Sequence, residues 1–339
     1  MSTFKGIFMT KLFLMIFVLS SLLIQSVLAS STLSKRQDVA DFIDEMVSEH
    51  KMDKGSLQTL FNKTEIRQDI IDLMNRPAEK VKPWYEYKKI FLTDSRLKKG
   101  LVFWKENKDA LAYAKKIYGV PEEIIVAIIG VETFYGKITG KHRVIDALST
   151  LAFDYPKRSV FFRKELKHFL ILCKEQKIDP LSLKGSYAGA MGYGQFMPSS
   201  YQHYAVDFDG RGIKDIWNNP HDAIGSVANY FKQHGWILDQ PVITQAKIAS
   251  AKEPFEVNNR KIKPKTSLKN YFKLQINSDL TEKFPDMKAA MVELQEKSGS
   301  TYWLAFKNFY TISRYNHSHM YSMVVYLLSQ DLKKSYNKK

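Results

Sequence analysis

The chain has 339 residues, of which 45% are hydrophobic and 13% aromatic, a composition typical of a packed globular protein of about two domains that excludes extended disorder. Its formal net charge is +16, and it contains a single cysteine. One cysteine excludes an internal disulfide framework, a cysteine-based zinc cluster and CxxC redox chemistry.

Residues 1–29 are predicted to form a signal peptide. Lys5 and Lys11 precede a long apolar stretch, and the run Ser26–Ala29 has the small or branched residues that signal peptidase reads, so we place the cleavage site after Ala29. The alternative is an uncleaved anchor, because the stretch approaches the ~20 residues that span a bilayer. No cysteine lies near residue 30, which excludes a lipoprotein anchor. We therefore expect an exported, periplasmic protein.

The positive charge is scattered along the chain rather than gathered into one stripe. Nucleic acid is not the expected partner, because export takes the chain away from it. Anionic cell-wall polymer or an anionic membrane surface fits the compartment. A solvated basic surface that only keeps the protein soluble is the alternative.

Hydrophobic periodicity predicts a mainly α-helical chain. The segment 36–75 is predicted to form two amphipathic helices, and the aromatic run 83–92 an extended segment or loop. A helix capped by Thr93 or Asp94 is predicted to run to about Tyr118, and further helices are predicted over 157–178, 221–234, 286–297 and 320–332. Between 238 and 280, prolines interrupt short β-branched runs, which predicts a small strand-rich insertion.

The segment Pro121–Gly136 is the most informative helix. Proline and two acids favour its start, Gly136 favours its end, and apolar residues occur on every face, which predicts a buried helix. Glu132 lies near the C-terminal end, where burial and the helix dipole both raise the pKa of a carboxyl group. A carboxylic acid that is protonated near neutral pH is what a general acid needs. The alternative is a structural salt bridge from Glu132 to an arginine or lysine.

The run Gly185–Ser200 has four glycines within ten residues, which indicates close backbone approach or unusual dihedral angles. It lacks the lysine of a phosphate-binding loop and the strand-linked GxGxxG pattern, which argues against nucleotide binding. The aromatic, glutamine and serine residues between the glycines favour the wall of a groove for a polar, extended ligand such as a sugar chain. A tight packing turn between helices is the alternative.

The sequence resembles the lytic murein transglycosylase B family, glycoside hydrolase family 103. The segments that carry the resemblance are 120–136, 146–156, 183–207, 222–236 and 312–323, and the run Gly189–Tyr201 is the most diagnostic. The resemblance implies a mainly α (α+β) fold with a lysozyme-like helical core. It places that core over 119–237, a flanking helical domain over 30–118 plus 284–339, and a small inserted β-rich domain over 238–283.

The resemblance also implies an activity. Members of the family cleave the β-1,4 bond between N-acetylmuramic acid and N-acetylglucosamine without adding water, and leave a 1,6-anhydromuramyl product. Two carboxylates, as in ordinary glycosidases, are not needed, because the neighbouring N-acetyl carbonyl stabilises the cationic centre. The family's catalytic residue falls on Glu132, which acts first as acid and then as base.

Substrate-binding positions follow from the same resemblance. Ser186 and Gln195 line the cleavage subsites. Groove positions are Tyr87, Tyr230, Tyr315, Asn316 and Tyr321. Lys157 and Arg158 occupy the place of two arginines that meet the peptide or the lactyl carboxylate, although Lys157 lacks the fork geometry of arginine.

The segment that begins at Asp207 resembles a calcium loop. Asp207, Asp209 and Asp215 occupy positions one, three and nine, and Asp222 closes a longer loop, as in the family's calcium site. Position five, however, is Arg211, which puts a cation where an anionic ligand is wanted. We therefore expect that no cofactor is required, and calcium binding is the alternative. The Arg211 guanidinium is able to replace calcium by pairing with Asp207 or Asp209.

Two other functions stay open at this point: a lysozyme-type hydrolase of the same bond, and a catalytically dead murein-binding protein. The intact set of Glu132, Ser186 and Gln195 argues against the second. The expected partners are peptidoglycan glycan strands, with other cell-wall enzymes as further candidates. The chain is expected to be a monomer.

Overall fold

The computed structural model describes residues 32–76, 82–249 and 257–338. The predicted signal peptide, residues 1–29, lies outside these ranges. Fourteen α-helices are present in the described residues: α1 (Gln37–His50), α2 (Lys54–Asn62), α3 (Gln68–Asn75), α4 (Trp84–Phe91), α5 (Asp94–Glu106), α6 (Lys108–Tyr118), α7 (Glu122–Thr133), α8 (Val144–Phe153), α9 (Ser159–Gln176), α10 (Pro198–Tyr204), α11 (Pro220–Gln233), α12 (Leu268–Lys273), α13 (Lys307–Ser313) and α14 (His319–Tyr336). The fold is therefore mainly helical, as predicted. No helix in these ranges is long and apolar enough to cross a membrane.

Within the part of the chain that the structure describes, eight short strands form three small sheets. The strands are β1 (His142–Arg143), β2 (Lys184–Gly185), β3 (Ile243–Gln245), β4 (Lys247–Ile248), β5 (Thr266–Ser267), β6 (Ile276–Asn277), β7 (Lys288–Glu296) and β8 (Gly299–Ala305). The largest sheet has the antiparallel order β3-β8-β7-β5, and the pairs β1–β2 and β4–β6 stand apart from it. The predicted strand-rich segment is confirmed, and its strands continue as far as Ala305.

The helix predicted over 286–297 is wrong, because this segment is strand β7. Ala290, Val292 and Leu294 pack into the core around α7, whereas Ala289 and Met291 pack into the core of the β module. Both faces of the strand are therefore apolar, so the period-2 alternation that would mark a strand is absent from the sequence.

The aromatic run 83–92 is a helix, α4, and not the predicted extended segment. Trp84, Tyr87 and Phe91 recur at helical spacing and pack against one core. Their one-sided burial outweighs the preference of aromatic residues for strands.

Two predicted helical regions are divided further than expected. The segment 36–75 holds three helices, because Lys51 adopts a left-handed conformation and Asp53 caps the next helix. The helix predicted to reach Tyr118 is interrupted at Asn107, whose side chain donates to Phe103 O at 2.8 Å. Thr93 caps α5, as predicted, by accepting from the backbone N–H of Arg96.

Two large apolar cores adjoin each other in the described residues. The first surrounds α7 with side chains from α5, α6, α11, α13, α14 and the largest sheet. The second is formed by α1, α2, α3, α8, α9 and part of the glycine-rich run. Tyr315 packs against both cores, so the end of α7 and the glycine-rich run meet where the two cores adjoin.

Candidate functional site

The predicted helix that carries Glu132 is confirmed as α7. Its interior from Ile124 to Val131 is buried without interruption. At its start Glu122 accepts a 2.8 Å hydrogen bond from Trp104 Nε1, and Glu123 pairs with Lys333 at 2.9 Å. The helix is fixed by apolar packing and by these two acids, which leaves its C-terminal end to carry a functional group.

Helix α7 ends in three consecutive residues of positive φ: Phe134 at +51°, Tyr135 at +63° and Gly136 at +83°. The N–H groups of Phe134 and Tyr135 donate to the carbonyls of Gly130 and Ile129, which satisfies the last carbonyls of the helix. The predicted end at Gly136 is thus two residues beyond the true C-cap. This turn redirects the chain immediately after Glu132.

Arg96 holds the C-terminal end of α7 against two neighbouring segments. Its Nε donates to Gly130 O at 3.0 Å, and its Nη1 donates to the carbonyls of Ile90 and Phe91, both at 2.9 Å. Its guanidinium also lies 5.1 Å from the ring centroid of Phe134. Sequence reasoning missed Arg96, because no local motif distinguishes an arginine that binds one distant carbonyl and two nearby ones from an arginine that is solvated.

Glu132 is partly exposed and has a single hydrogen-bond partner among the described residues, Tyr321, whose hydroxyl donates to Oε1. No described lysine or arginine pairs with it, so the salt-bridge alternative is excluded for this part of the chain. Burial raises its pKa to about 7, against the opposing effect of the Tyr321 hydrogen bond. A large fraction of the group is therefore protonated at neutral pH, the state predicted for a general acid.

Three tyrosines converge on this carboxyl group. Burial raises the pKa of Tyr87, Tyr315 and Tyr321, and the negative charge of Glu132 raises each further, because each hydroxyl lies close to the carboxylate. Tyr87 comes from α4, and Tyr321 from the first turn of α14. The structure thus brings together four of the predicted site residues from distant parts of the chain.

The glycine-rich run lies directly against this cluster. Thr133 Oγ1 donates to Tyr193 O at 2.9 Å and accepts from Gly136 N at 3.0 Å. Tyr315 Oη donates to Gly194 O at 2.5 Å. A Cβ on Gly194 would lie 2.8 Å from that hydroxyl, so glycine is needed for this approach.

Ser186 and Gln195 are both on this run. Ser186 closes a turn, since its N–H donates to Ala190 O at 2.8 Å and its Oγ accepts from Ala190 N at 3.0 Å. Gln195 has a φ of +50°, and its Nε2 donates to Thr139 O at 3.1 Å. Both side chains are partly exposed. The run contributes to both cores, which fits the predicted packing turn, and its part in a groove wall stays a prediction.

Tyr230 packs against Tyr315, one of the tyrosines close to Glu132. It is buried, its hydroxyl donates to Arg314 O at 2.5 Å, and its ring centroid lies 4.8 Å from that of Tyr315. Asn316, the residue after Tyr315, is exposed. The structure therefore gives Tyr230 a supporting position and leaves Asn316 open to a ligand.

Lys157 and Arg158 lie in a short 3-10 helix on the second core. Lys157 Nζ is 3.3 Å from Asn75 Oδ1, and the Arg158 guanidinium lies 4.4 Å from the ring centroid of Phe161. Within the described ranges, none of their hydrogen bonds or ring contacts reaches Glu132 or the glycine-rich run. Both side chains are exposed, so they remain candidates for a more distant part of an extended ligand.

The predicted metal loop brings three carboxylates together. Ligand oxygens of Asp207, Asp209 and Asp222 lie within 4.8 Å of one another. Asp215 does not belong to this group, because its Oδ1 accepts from the N–H groups of Trp217 and Asn218. The three clustered carboxylates belong to the predicted ligand set, and the place of Asp215 in that set stays a prediction.

A sequence profile described as the transglycosylase SLT domain matches residues 34–330. Over 301 residues the chain is 45% identical to the membrane-bound lytic murein transglycosylase B of Escherichia coli strain K12, with 85% of this chain and 81% of that protein covered.

Solved structures of lytic transglycosylases are also similar to this chain. The soluble lytic transglycosylase SltB1 from Pseudomonas aeruginosa matches with a TM-score of 0.85 and 48% identity, covering 88% of this chain and 99% of that chain. The Escherichia coli lytic transglycosylase Slt35, solved in complex with calcium, matches with a TM-score of 0.82 and 42% identity, covering 90% of this chain and 95% of that chain. Pseudomonas aeruginosa SltB3, solved with NAG-anhNAM-pentapeptide, matches with a TM-score of 0.76 and 27% identity, covering 86% of this chain and 78% of that chain.

Proposed function

The chain belongs to the transglycosylase SLT-domain family and is a lytic murein transglycosylase B homologue with a lysozyme-like fold, and we propose that Glu132 is the acid and then the base of its reaction. The observation that carries this proposal is the setting of Glu132. It is a partly exposed carboxyl group with a pKa of about 7, with no cation partner among the described residues, and it stands between tyrosines and a glycine-rich wall.

In the first step, protonated Glu132 gives its proton to the glycosidic oxygen between N-acetylmuramic acid and N-acetylglucosamine. The bond from that oxygen to the anomeric carbon of the muramic residue breaks, and N-acetylglucosamine leaves with the proton. Positive charge develops on the anomeric carbon, and Glu132 becomes a carboxylate. The Tyr321 hydroxyl stabilises that carboxylate, since a hydrogen bond to a charged acceptor is stronger than one to a neutral acceptor.

In the second step, the N-acetyl carbonyl of the same muramic residue stabilises the anomeric centre. The muramic 6-hydroxyl gives its proton to Glu132, and its oxygen bonds to the anomeric carbon, so a 1,6-anhydro ring forms and no water is consumed. Burial and one hydrogen bond account for the pKa of Glu132, without a contribution from any second described carboxylate. This supports a mechanism with one carboxyl group rather than the pair that ordinary glycosidases use.

We assign the substrate contacts by position. Ser186, Gln195, Tyr87, Tyr315 and Asn316 line the groove on either side of Glu132. Tyr230 supports Tyr315 from behind instead of touching the glycan, as its buried hydroxyl is already bonded to a backbone carbonyl. Lys157 and Arg158 are assigned to the anionic peptide or lactyl group of a strand that extends beyond the groove.

We propose that the substrate is a peptidoglycan glycan strand, and that the chain acts as an exported, periplasmic monomer. Related enzymes have been solved with glycan–peptide ligands, which supports the substrate class. Fractionation of cells that express the full chain tests the compartment. A periplasmic protein with the mass of a chain that starts at residue 30 supports cleavage. A full-length chain in the membrane fraction would identify residues 1–29 as an anchor.

The catalytic proposal is tested by digestion of purified peptidoglycan with Glu132→Gln. We expect a loss of activity of at least about a hundredfold, because the variant has no proton to donate. The matched control is Glu123→Gln, which removes a carboxylate from the other end of α7 and should keep activity. Near-normal digestion by Glu132→Gln would refute the assignment.

The same digestion separates the transglycosylase from a lysozyme-type hydrolase. Mass spectrometry of the wild-type products should show anhydro ends, which are one water lighter than reducing ends. Reducing ends alone would identify a hydrolase. Intact peptidoglycan would identify a murein-binding protein without activity.

A further inference from the structure

The loop from Asp207 to Asp222 has the carboxylates of a calcium site, but those carboxylates already have other partners. Calcium binds through 6–8 oxygen atoms at about 2.3–2.6 Å, and a loop that takes it must turn carboxylate oxygens toward one centre. The three carboxylates of this loop are close enough for that arrangement. Their individual contacts decide whether a metal ion fits.

Asp207 and Asp222 each accept two backbone hydrogen bonds. Asp207 Oδ1 and Oδ2 accept from the N–H groups of Arg211 and Gly212, at 3.0 and 2.6 Å. Asp222 Oδ1 and Oδ2 accept from Phe208 and Asp215, both at 2.8 Å. Asp222 also lies in the first turn of α11, where the helix dipole favours negative charge. These two carboxylates are therefore stabilised by the loop's own backbone.

Asp209 is the carboxylate that has a cation. Its Oδ2 lies 2.9 Å from Arg211 Nε and accepts from Asn219 Nδ2 at 2.9 Å. Its Oδ1 is buried and has no hydrogen-bond partner among the described residues. Arg211 occupies the fifth position of the loop, which supplies a ligand in a calcium loop. The guanidinium therefore lies where the loop would direct an oxygen at a metal ion.

We propose that Arg211 is a built-in cation that takes the place of calcium, so that this loop folds and functions without a metal ion. Asp209 Oδ2, the oxygen that the third position of a calcium loop would direct at the metal ion, is held instead by Arg211 Nε and Asn219 Nδ2. A guanidinium beside that oxygen would also repel a divalent cation.

The loop bears directly on the proposed site. Ile216 O accepts a 2.9 Å hydrogen bond from Tyr193 N in the glycine-rich run, and a Cβ on Gly192 would lie 2.4 Å from the same carbonyl. The loop therefore supports the wall of the groove beside Glu132. The ion pair of Arg211 makes this support independent of calcium.

The experiment is thermal unfolding of the full chain in EDTA and in calcium chloride, for wild type, Arg211→Asp, Arg211→Ser and the control Arg211→Met. We expect the wild-type Tm to be the same in both buffers. Arg211→Asp and Arg211→Ser restore an oxygen ligand and remove the cation. Their Tm should be lower than wild type in EDTA and should rise by about 5 °C when calcium exceeds its dissociation constant a hundredfold. Arg211→Met should be destabilised with no calcium response, since it loses the ion pair without gaining an oxygen ligand.

Direct titration of wild type with calcium chloride in a calorimeter keeps the test decisive if a variant fails to fold. Heat of binding to wild type, or a wild-type Tm that rises with calcium, would overturn the proposal. The absence of any calcium response in folded Arg211→Asp and Arg211→Ser would overturn it too, because Arg211 would then not be what excludes the ion. Peptidoglycan digestion in EDTA is a separate measurement, so failure of this proposal is distinguishable from failure of the assignment of Glu132.

Discussion

Replacement of Glu132 by glutamine should stabilise the protein at alkaline pH while it removes activity. Burial raises the pKa of this carboxyl group from an ordinary value of 4.5 to about 7. The native state therefore holds the proton more tightly than the unfolded state does, and wild-type stability falls as the pH rises from about 4.5 to about 7. Above that window the charged carboxylate destabilises the fold, and glutamine has no charge to destabilise it.

The magnitude follows from the two pKa values. They differ by about 2.5 pH units, and at 1.36 kcal/mol for each unit this gives about 3.4 kcal/mol as an upper limit. Because the side chain is partly exposed, we expect about 2 kcal/mol, or a Tm about 4 °C higher for Glu132→Gln at pH 8. The amide oxygen of glutamine can still accept from Tyr321, so little of this gain is lost.

The assay is urea unfolding of wild type and Glu132→Gln at pH 4, 6 and 8, with Glu123→Gln as control. The stability difference should be close to zero at pH 4 and reach its full size at pH 8. Glu123→Gln loses the ion pair with Lys333, so it should not be more stable than wild type at any of the three pH values. A difference that is the same at all three values, or that favours wild type at pH 8, would refute the idea that Glu132 is held protonated by burial.

Three further substitutions probe the same site. Tyr321→Phe removes the hydrogen bond that lowers the pKa of Glu132, so the alkaline limb of the pH–activity profile should move up by about one pH unit. The control Tyr326→Phe, on the same helix, should leave that limb unchanged. Arg96→Lys cannot bind three carbonyls with fork geometry, so denaturant unfolding should show a loss of about 1–2 kcal/mol and kcat should fall without a change in the pH profile. Gly194→Ala displaces the Tyr315 hydroxyl, and we expect a loss of stability of about 1–3 kcal/mol with a raised KM; an unchanged KM would contradict the role of this tyrosine in the groove.

The sequence by itself determined the elements whose cause is local. The buried helix around Glu132 was predictable because proline, two acids and an uninterrupted apolar run occur within one segment. The cap of α5 was predictable as Thr93 or Asp94, because both residue types favour an N-cap position, and the structure shows that it is Thr93. The local signal fails in strand β7, where the sequence pattern predicts a helix because both faces of the strand are buried against apolar cores.

Only the tertiary structure decided how these elements serve the site. Tyr321 and Tyr87 come from segments far from Glu132 in sequence, so no spacing predicts that they meet at one carboxyl group. Arg96 binds the carbonyl of Gly130, 34 residues away in sequence, which no local pattern predicts. The sequence left open whether Arg211 pairs with Asp207 or Asp209, and the 2.9 Å contact of its guanidinium with Asp209 answers this. The residue type determines which functional group a side chain has. Its pKa and its partners depend on burial and distance, which are set only when segments remote in sequence pack together.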